Sequence, residues 1–148
     1  MKKILILAIV TTLSGCATMR SQTTPITLEF RPGSQSPGAG LIEMTVAGSD
    51  QPIYISKDVA LSNADVASSR VVSGPNGPQI EIVFTKAGAE RFAIITKNNI
   101  RKPLGILIDG KLISAPIVME KIAGGKALIT GTFSQKEAKR LSDGIVGR

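Results

Sequence analysis

The chain has 148 residues, 43% of them apolar and 20% charged, with a formal net charge of +7. That is one domain's worth of an ordinary globular mixture, which excludes collagen, mucin-like stalks and wholesale disorder. With no His and a single Cys, a Ser-His-Asp triad, a His-containing zinc site, a His-held haem and an intramolecular disulfide are all excluded. Aromatic residues are only 3%, which weighs against stacking platforms for sugars or bases.

The N-terminus reads as an address. Lys2 and Lys3 precede the apolar run Ile4–Val10 and then Leu13-Ser14-Gly15-Cys16. The run is about half of the ~20 residues a membrane-crossing helix needs, and it has the dimensions of a signal-peptide core. The small residues before Cys16 resemble the lipobox of bacterial lipoproteins. That resemblance implies cleavage before Cys16 and a diacylglycerol on its sulfur, so the membrane is a partner through the N-terminal lipid. Ala17, rather than Asp, follows Cys16; by the lipoprotein sorting pattern this favours the outer membrane, facing the periplasm, in a diderm host. Loss of Met1–Gly15 lowers the net charge to +5. The remaining basic residues are scattered, so nucleic acid is not an expected partner.

Ala17–Pro25 is a polar tether. Ile26–Arg31 alternates apolar and polar residues and predicts a first strand. Pro32–Gly40 reads as a loop. Leu41–Val46 and Pro52–Ser56 predict strands around a turn at Gly48–Gln51. Ser62-Asn63-Ala64-Asp65 marks a helix or turn start that leads into Arg70–Ser73. Gly74–Pro78 is the strongest breaker in the chain.

The second half is clearer. Gln79–Thr85 alternates, with Ile80, Ile82 and Phe84 on one face. Thr85 stands where a helix N-cap belongs. Ala89, Phe92, Ala93, Thr96 and Ile100 then recur at helical spacing. Leu104–Asp109 is an apolar strand, Asp109-Gly110 suits a two-residue hairpin turn, and Lys111–Val118 returns as its partner. Pro116 places that stretch at an edge or bulge. After Ala123-Gly124-Gly125, Lys126–Phe133 predicts a last strand. Ser134 and Glu137 predict a capping box for a helix burying Ala138, Leu141 and Ile145. The expected fold is α+β, a mostly antiparallel sheet with two helices on one face, of ferredoxin-like or split βαβ type.

Several of these segments carry a resemblance. Phe84–Phe92, Thr96–Ile100, Leu107–Pro116, Gly124–Phe133 and Glu137-Ala138 together are similar to the head subdomain of the first periplasmic domain of SecD, the protein-export membrane component. The hairpin Asp-Gly-Lys-x-Ile-Ser-Ala-Pro and the strand Gly-Gly-x-Ala-x-Ile-x-Gly-x-Phe carry the specificity. The expected organisation is a leader over residues 1–15, a tether over 16–25, an N-terminal β extension over 26–59 and a head-like domain over 60–148. The resemblance implies a head exposed outside the cytoplasmic membrane that engages emerging polypeptide. No membrane-crossing helices with buried carboxylates accompany it here, so proton-coupled translocation by this chain alone is not expected.

Chemistry-bearing candidates are few. Asp109 and Gly110 read as turn residues. Ser114 has no His to activate it, though Lys111 or Lys126 could pair with it. Gly124-Gly125 is a turn before it is an anion cradle. Asp58, Asp65 and Asp109 lack the spacing of a calcium loop. No catalytic residue, metal or cofactor is expected. Two function classes remain. One is a non-catalytic binding module that takes polypeptide or an envelope protein partner along the edge Ile113, Ser114, Ala115, Pro116, Ile117 and Val118, by strand addition. The other is an accessory, inhibitory or sensor subunit of an envelope protein.

Overall fold

The computed structural model describes residues 25–147. The leader Met1–Gly15, Cys16 and the tether up to residue 24 lie outside the described residues. Strand β1 (Leu28–Ser34) buries Leu28 and Phe30 completely. It runs two residues past Pro32, where a loop was expected. Pro32 faces Leu104 in the ladder, and the Gly33 N–H reaches the Pro103 carbonyl at 2.9 Å. Gly33 has the room to do so because it lacks a Cβ, which would stand 3.0 Å from Ile55 Cδ1.

Strands β2 (Leu41–Thr45) and β3 (Pro52–Ser56) form a hairpin. Strand β4 (Leu61–Ser62) and β3 pair with successive parts of one edge of β1. A 3-10 turn at Asn63–Asp65 carries a complete capping box: the Ser62 hydroxyl accepts from the turn, and the Asp65 carboxylate accepts from the Ser62 N–H at 2.9 Å. Strands β5 (Val66–Gly74) and β6 (Gly77–Phe84) then make a tight hairpin. Helix α1 (Lys86–Asn98) starts at Thr85, whose hydroxyl accepts from the Gly88 N–H at 3.0 Å, a cap worth ~1 kcal/mol.

Strand β7 (Leu104–Ile108) is buried at every residue. Leu104, Ile106 and Ile108 face the main core, while Leu107 faces a second, smaller core with Ile55 and Leu112. Burial on both faces explains the unbroken apolar run in LGILI. Strand β8 (Lys111–Ser114), strand β9 (Lys126–Ile129) and helix α2 (Gln135–Ile145) complete the order. Ser134 caps α2 by accepting from the Glu137 N–H at 3.2 Å.

The fold is α+β, with antiparallel strands and two helices. The strands form two sheets, where one was expected. The larger has the order β2-β3-β1-β7-β8 with β4 beside β1; the smaller is β5-β6-β9. The reason lies in β5. A split βαβ unit would set β6 between β8 and β9, but β5 takes the place of β8 beside β6, and β8 is left paired with β7. Both helices contribute to the main core, through Phe92 and through Ala138, Leu141 and Ile145. Helix α2 is tied to β5 by a hydroxyl contact of 3.0 Å between Ser69 and Ser142. The chain enters β1 beside the β7–β8 hairpin: the Ile26 N–H reaches the Gly144 carbonyl, and Thr27 exchanges two hydrogen bonds with Asp109 at 2.9 Å. No helix of the described residues is long and apolar enough to cross a membrane.

Candidate functional site

The two sheets touch at one end and part at the other. They touch where Gly131, just after β9, comes so near Ile113 that a Cβ there would stand 3.2 Å from Ile113 Cγ2. Further along, a groove of about 570 Å³ opens between them. Its floor is the main core itself: Phe30, Phe92, Leu104 and Ile106, each at most 3% exposed. Phe30 and Phe92 meet edge to face, with ring centroids 5.9 Å apart, a geometry that adds ~1 kcal/mol to their burial.

One wall is the stretch after β8. Sequence reasoning extended that strand to Val118, but β8 ends at Ser114. The stretch Pro116–Val118 nevertheless runs on beside β7's approach. The Leu104 N–H reaches the Pro116 carbonyl at 2.9 Å, the Val118 N–H reaches the Lys102 carbonyl at 3.0 Å, and the Arg101 N–H reaches the Val118 carbonyl at 2.7 Å. Arg101 adopts a φ of 64° to do this, a left-handed conformation that costs a non-glycine residue ~1 kcal/mol. Beyond it, the fully buried Thr96 hydroxyl accepts from the Ile122 N–H at 3.0 Å and donates to the Phe92 carbonyl at 2.8 Å. Helix α1 therefore holds the outer lip in place.

The other wall is β9, through Lys126, Ala127 and Leu128. Around the mouth Ile117, Met119, Ile122 and Leu128 are 40%, 77%, 39% and 51% exposed. Exposed apolar residues scattered singly are ordinary, but four around one apolar groove make a patch that water covers poorly. Glu81 stands at the rim, where it accepts a hydrogen bond from Arg70 at 2.7 Å. That bond, helped by the positive charges of Arg70 and Lys126 and opposed by partial desolvation, holds the Glu81 carboxyl below its ordinary range. The same bond pushes Arg70 up.

The six residues expected to form one edge serve three places. Pro116, Ile117 and Val118 line the groove. Ala115 packs on the second core. Ile113 and Ser114 line a separate depression of about 400 Å³ with Phe133 and Glu137. The Ser114 hydroxyl oxygen is buried there without a hydrogen-bond partner. Neither Lys111 nor Lys126 lines that depression, so the Ser–Lys pairing weighed from sequence is not assembled. Asp109 and Gly110 form the hairpin turn with φ values of 49° and 75°, and Asp109 also pins Thr27. Sequence reasoning missed Met119, Ile122 and Leu128. The available signal was three large apolar residues in or beside a segment with no periodicity to bury them.

Comparison with known proteins places this architecture. The family described as SecDF, P1 head subdomain, matches residues 41–145. The protein translocase subunit SecDF of Thermus thermophilus is 40% identical over 83 residues, 55% of this chain and 11% of that protein. The protein translocase subunit SecD of Calditerrivibrio nitroreducens is 39% identical over 93 residues, 62% of this chain and 18% of that protein. The chain thus spans less than a fifth of these relatives. A crystal structure of SecDF in a super-membrane-facing form superposes with a TM-score of 0.69 at 28% identity, over 85% of this chain and 19% of that one. A second structure, of a membrane component SecDF that enhances protein export, gives 0.68 at 26% identity, over 84% of this chain and 64% of that one. The chain belongs to the SecDF P1 head subdomain family.

Proposed function

We propose that this chain is a non-catalytic, extracytoplasmic binding module that holds an extended apolar segment of polypeptide in the groove between its two sheets, in the service of protein export. The observation that carries this reading is the groove itself: a core-deep apolar floor left open under four exposed apolar side chains. Burying one large apolar side chain of a ligand there supplies ~1.5–3 kcal/mol. The family adds support, since its relatives are named as protein translocase subunits. In this reading Cys16 carries the lipid that attaches the module to a membrane, and Ala17 sends it to the outer membrane of a diderm host. Replacing Cys16 by Ser should release the processed protein from membranes and abolish lipid labelling; unchanged membrane fractionation would remove the anchor from the proposal.

A short apolar ligand in an open groove gains little beyond its burial, so dissociation constants on the order of micromolar or weaker are expected. The test is an NMR titration with an unfolded secretory peptide. Shifts clustered on Ile117, Met119, Ile122 and Leu128 support the reading. No shifts at roughly millimolar peptide would overturn it, and co-purification of one stoichiometric folded partner would then favour an accessory subunit.

A further inference from the structure

We propose that the free edge of β9 is the pairing element of this groove: an extended polypeptide hydrogen-bonds through its main chain to Lys126 and Leu128 and adds a strand to the three-stranded sheet. The inference rests on the reading of the groove as a polypeptide site, and it names the contact that would hold the chain.

The phase of β9 follows from its ladder. The Phe84 N–H reaches the Gly125 carbonyl at 2.9 Å. In an antiparallel pair, residues that exchange hydrogen bonds alternate with residues that do not. The register aligns Ile82 with Ala127 and Ile80 with Ile129. Ala127 and Ile129 therefore turn their main-chain groups to β6, and Lys126 and Leu128 turn theirs away. Strand β9 is the last of its sheet, and neither outward residue makes another hydrogen bond among the described residues. Both residues line the groove.

The chemistry of this edge selects its occupant. Two N–H donors and two carbonyl acceptors alternate along it at strand spacing. An acyl chain or detergent tail satisfies none of them, and a helix has already used its own. An extended main chain matches all of them while its alternate side chains meet the apolar floor. The two edges of this sheet also differ in regularity. On the opposite edge of the same sheet, β5 carries a bulge between Val66 and Ser68, a device that discourages strand addition. Strand β9 keeps an unbroken register.

The experiment uses the full chain and a soluble unfolded peptide of alternating valine and threonine. Side-chain methyl shifts of Ile117, Met119, Ile122 and Leu128 report occupation of the groove. Amide hydrogen exchange at Lys126 and Leu128 reports strand pairing. Saturating peptide should slow exchange at both amides by about tenfold or more, while Ala127 and Ile129 are protected already. Leu128→Pro deletes an outward N–H that β6 does not use, so the fold should stand; affinity should fall by about tenfold, the loss expected for a hydrogen bond removed with its partner left unpaired. Methyl shifts without amide protection, or full affinity in the Leu128→Pro variant, would overturn strand addition and leave the groove reading standing. No methyl shifts at all would overturn both. Protection at Lys126 and Leu128 that rises with protein concentration and without peptide would overturn the assigned occupant in favour of a second copy of this chain.

Discussion

A Cβ on Gly88 would stand 2.5 Å from the carbonyl oxygen of Asp65 and 2.9 Å from its Cβ. The first turn of α1 is thus seated directly on the 3-10 turn. The same carbonyl accepts from the Thr85 N–H at 2.8 Å, and the Asp65 carboxylate is ion-paired with Arg91. The nearest colliding atom is main chain, and the Asp65 Cβ is fixed to the main chain, so neither can swing aside. Gly88→Ala should therefore destabilise the fold by ~1–3 kcal/mol, the usual cost of overpacking, rather than add the small stabilisation that Ala usually brings to a helix. Urea denaturation of the pair decides it; an unchanged or raised midpoint would show that α1 is not seated this way.

Gly110 offers a different kind of test. Nothing lies within 4 Å of a Cβ there, yet its φ is 75°. Any cost of Gly110→Val is then backbone strain alone, ~1–3 kcal/mol. A thermal midpoint equal to that of the parent would refute the turn geometry.

The Glu81–Arg70 contact predicts a pH dependence. Glu81 has a lowered pKa in the folded chain, chiefly through the hydrogen bond from Arg70. A carboxyl with a depressed folded pKa contributes stability above its unfolded pKa and loses that contribution as pH falls through the folded one. The stability difference between the parent and Glu81→Gln should be present at neutral pH and shrink on acidification below the ordinary carboxylate range. A difference independent of pH, measured by denaturation at several pH values, would mean that the contact contributes nothing through charge.

Ile117→Lys separates binding from folding. The side chain is already 40% exposed, so the change should move stability by no more than ~1 kcal/mol. It places a charge in the mouth of an apolar groove, where desolvating it opposes any apolar ligand. Peptide affinity should drop by about tenfold or more, against a nearly constant melting temperature. Intact binding would move the site away from this lip.

The elements that sequence revealed are those whose signals are local. The alternation in Gln79–Thr85, the Thr85 cap and the Asp109-Gly110 turn each depend on a few adjacent residues, and each is found where it was expected. The capping box shows the limit of such signals. Ser134 makes its half of the expected box, whereas the complete box forms at Ser62 and Asp65, where the segment read only as a helix or turn start. Partition into two sheets was not legible, because it depends on β5 rather than β8 taking the place beside β6, a choice that no local signal decides. The groove is a consequence of that partition. Ile117 could be named from sequence as an edge residue, but its place with Leu128 around one groove comes only from two sheets that part beyond Gly131.

The entry of β1 also fixes how the domain would carry load. The chain arrives at Leu28 opposite Ile108, and β1 runs to Pro32 opposite Leu104, which lies on the groove floor. In this antiparallel pair, a pull on the Leu28 end of β1 against the Leu104 end of β7 is directed along both strands. The hydrogen bonds to β7 are stressed together, in shear, and none can be peeled away first. Tension applied between those two ends is therefore shared by the whole ladder rather than met one hydrogen bond at a time.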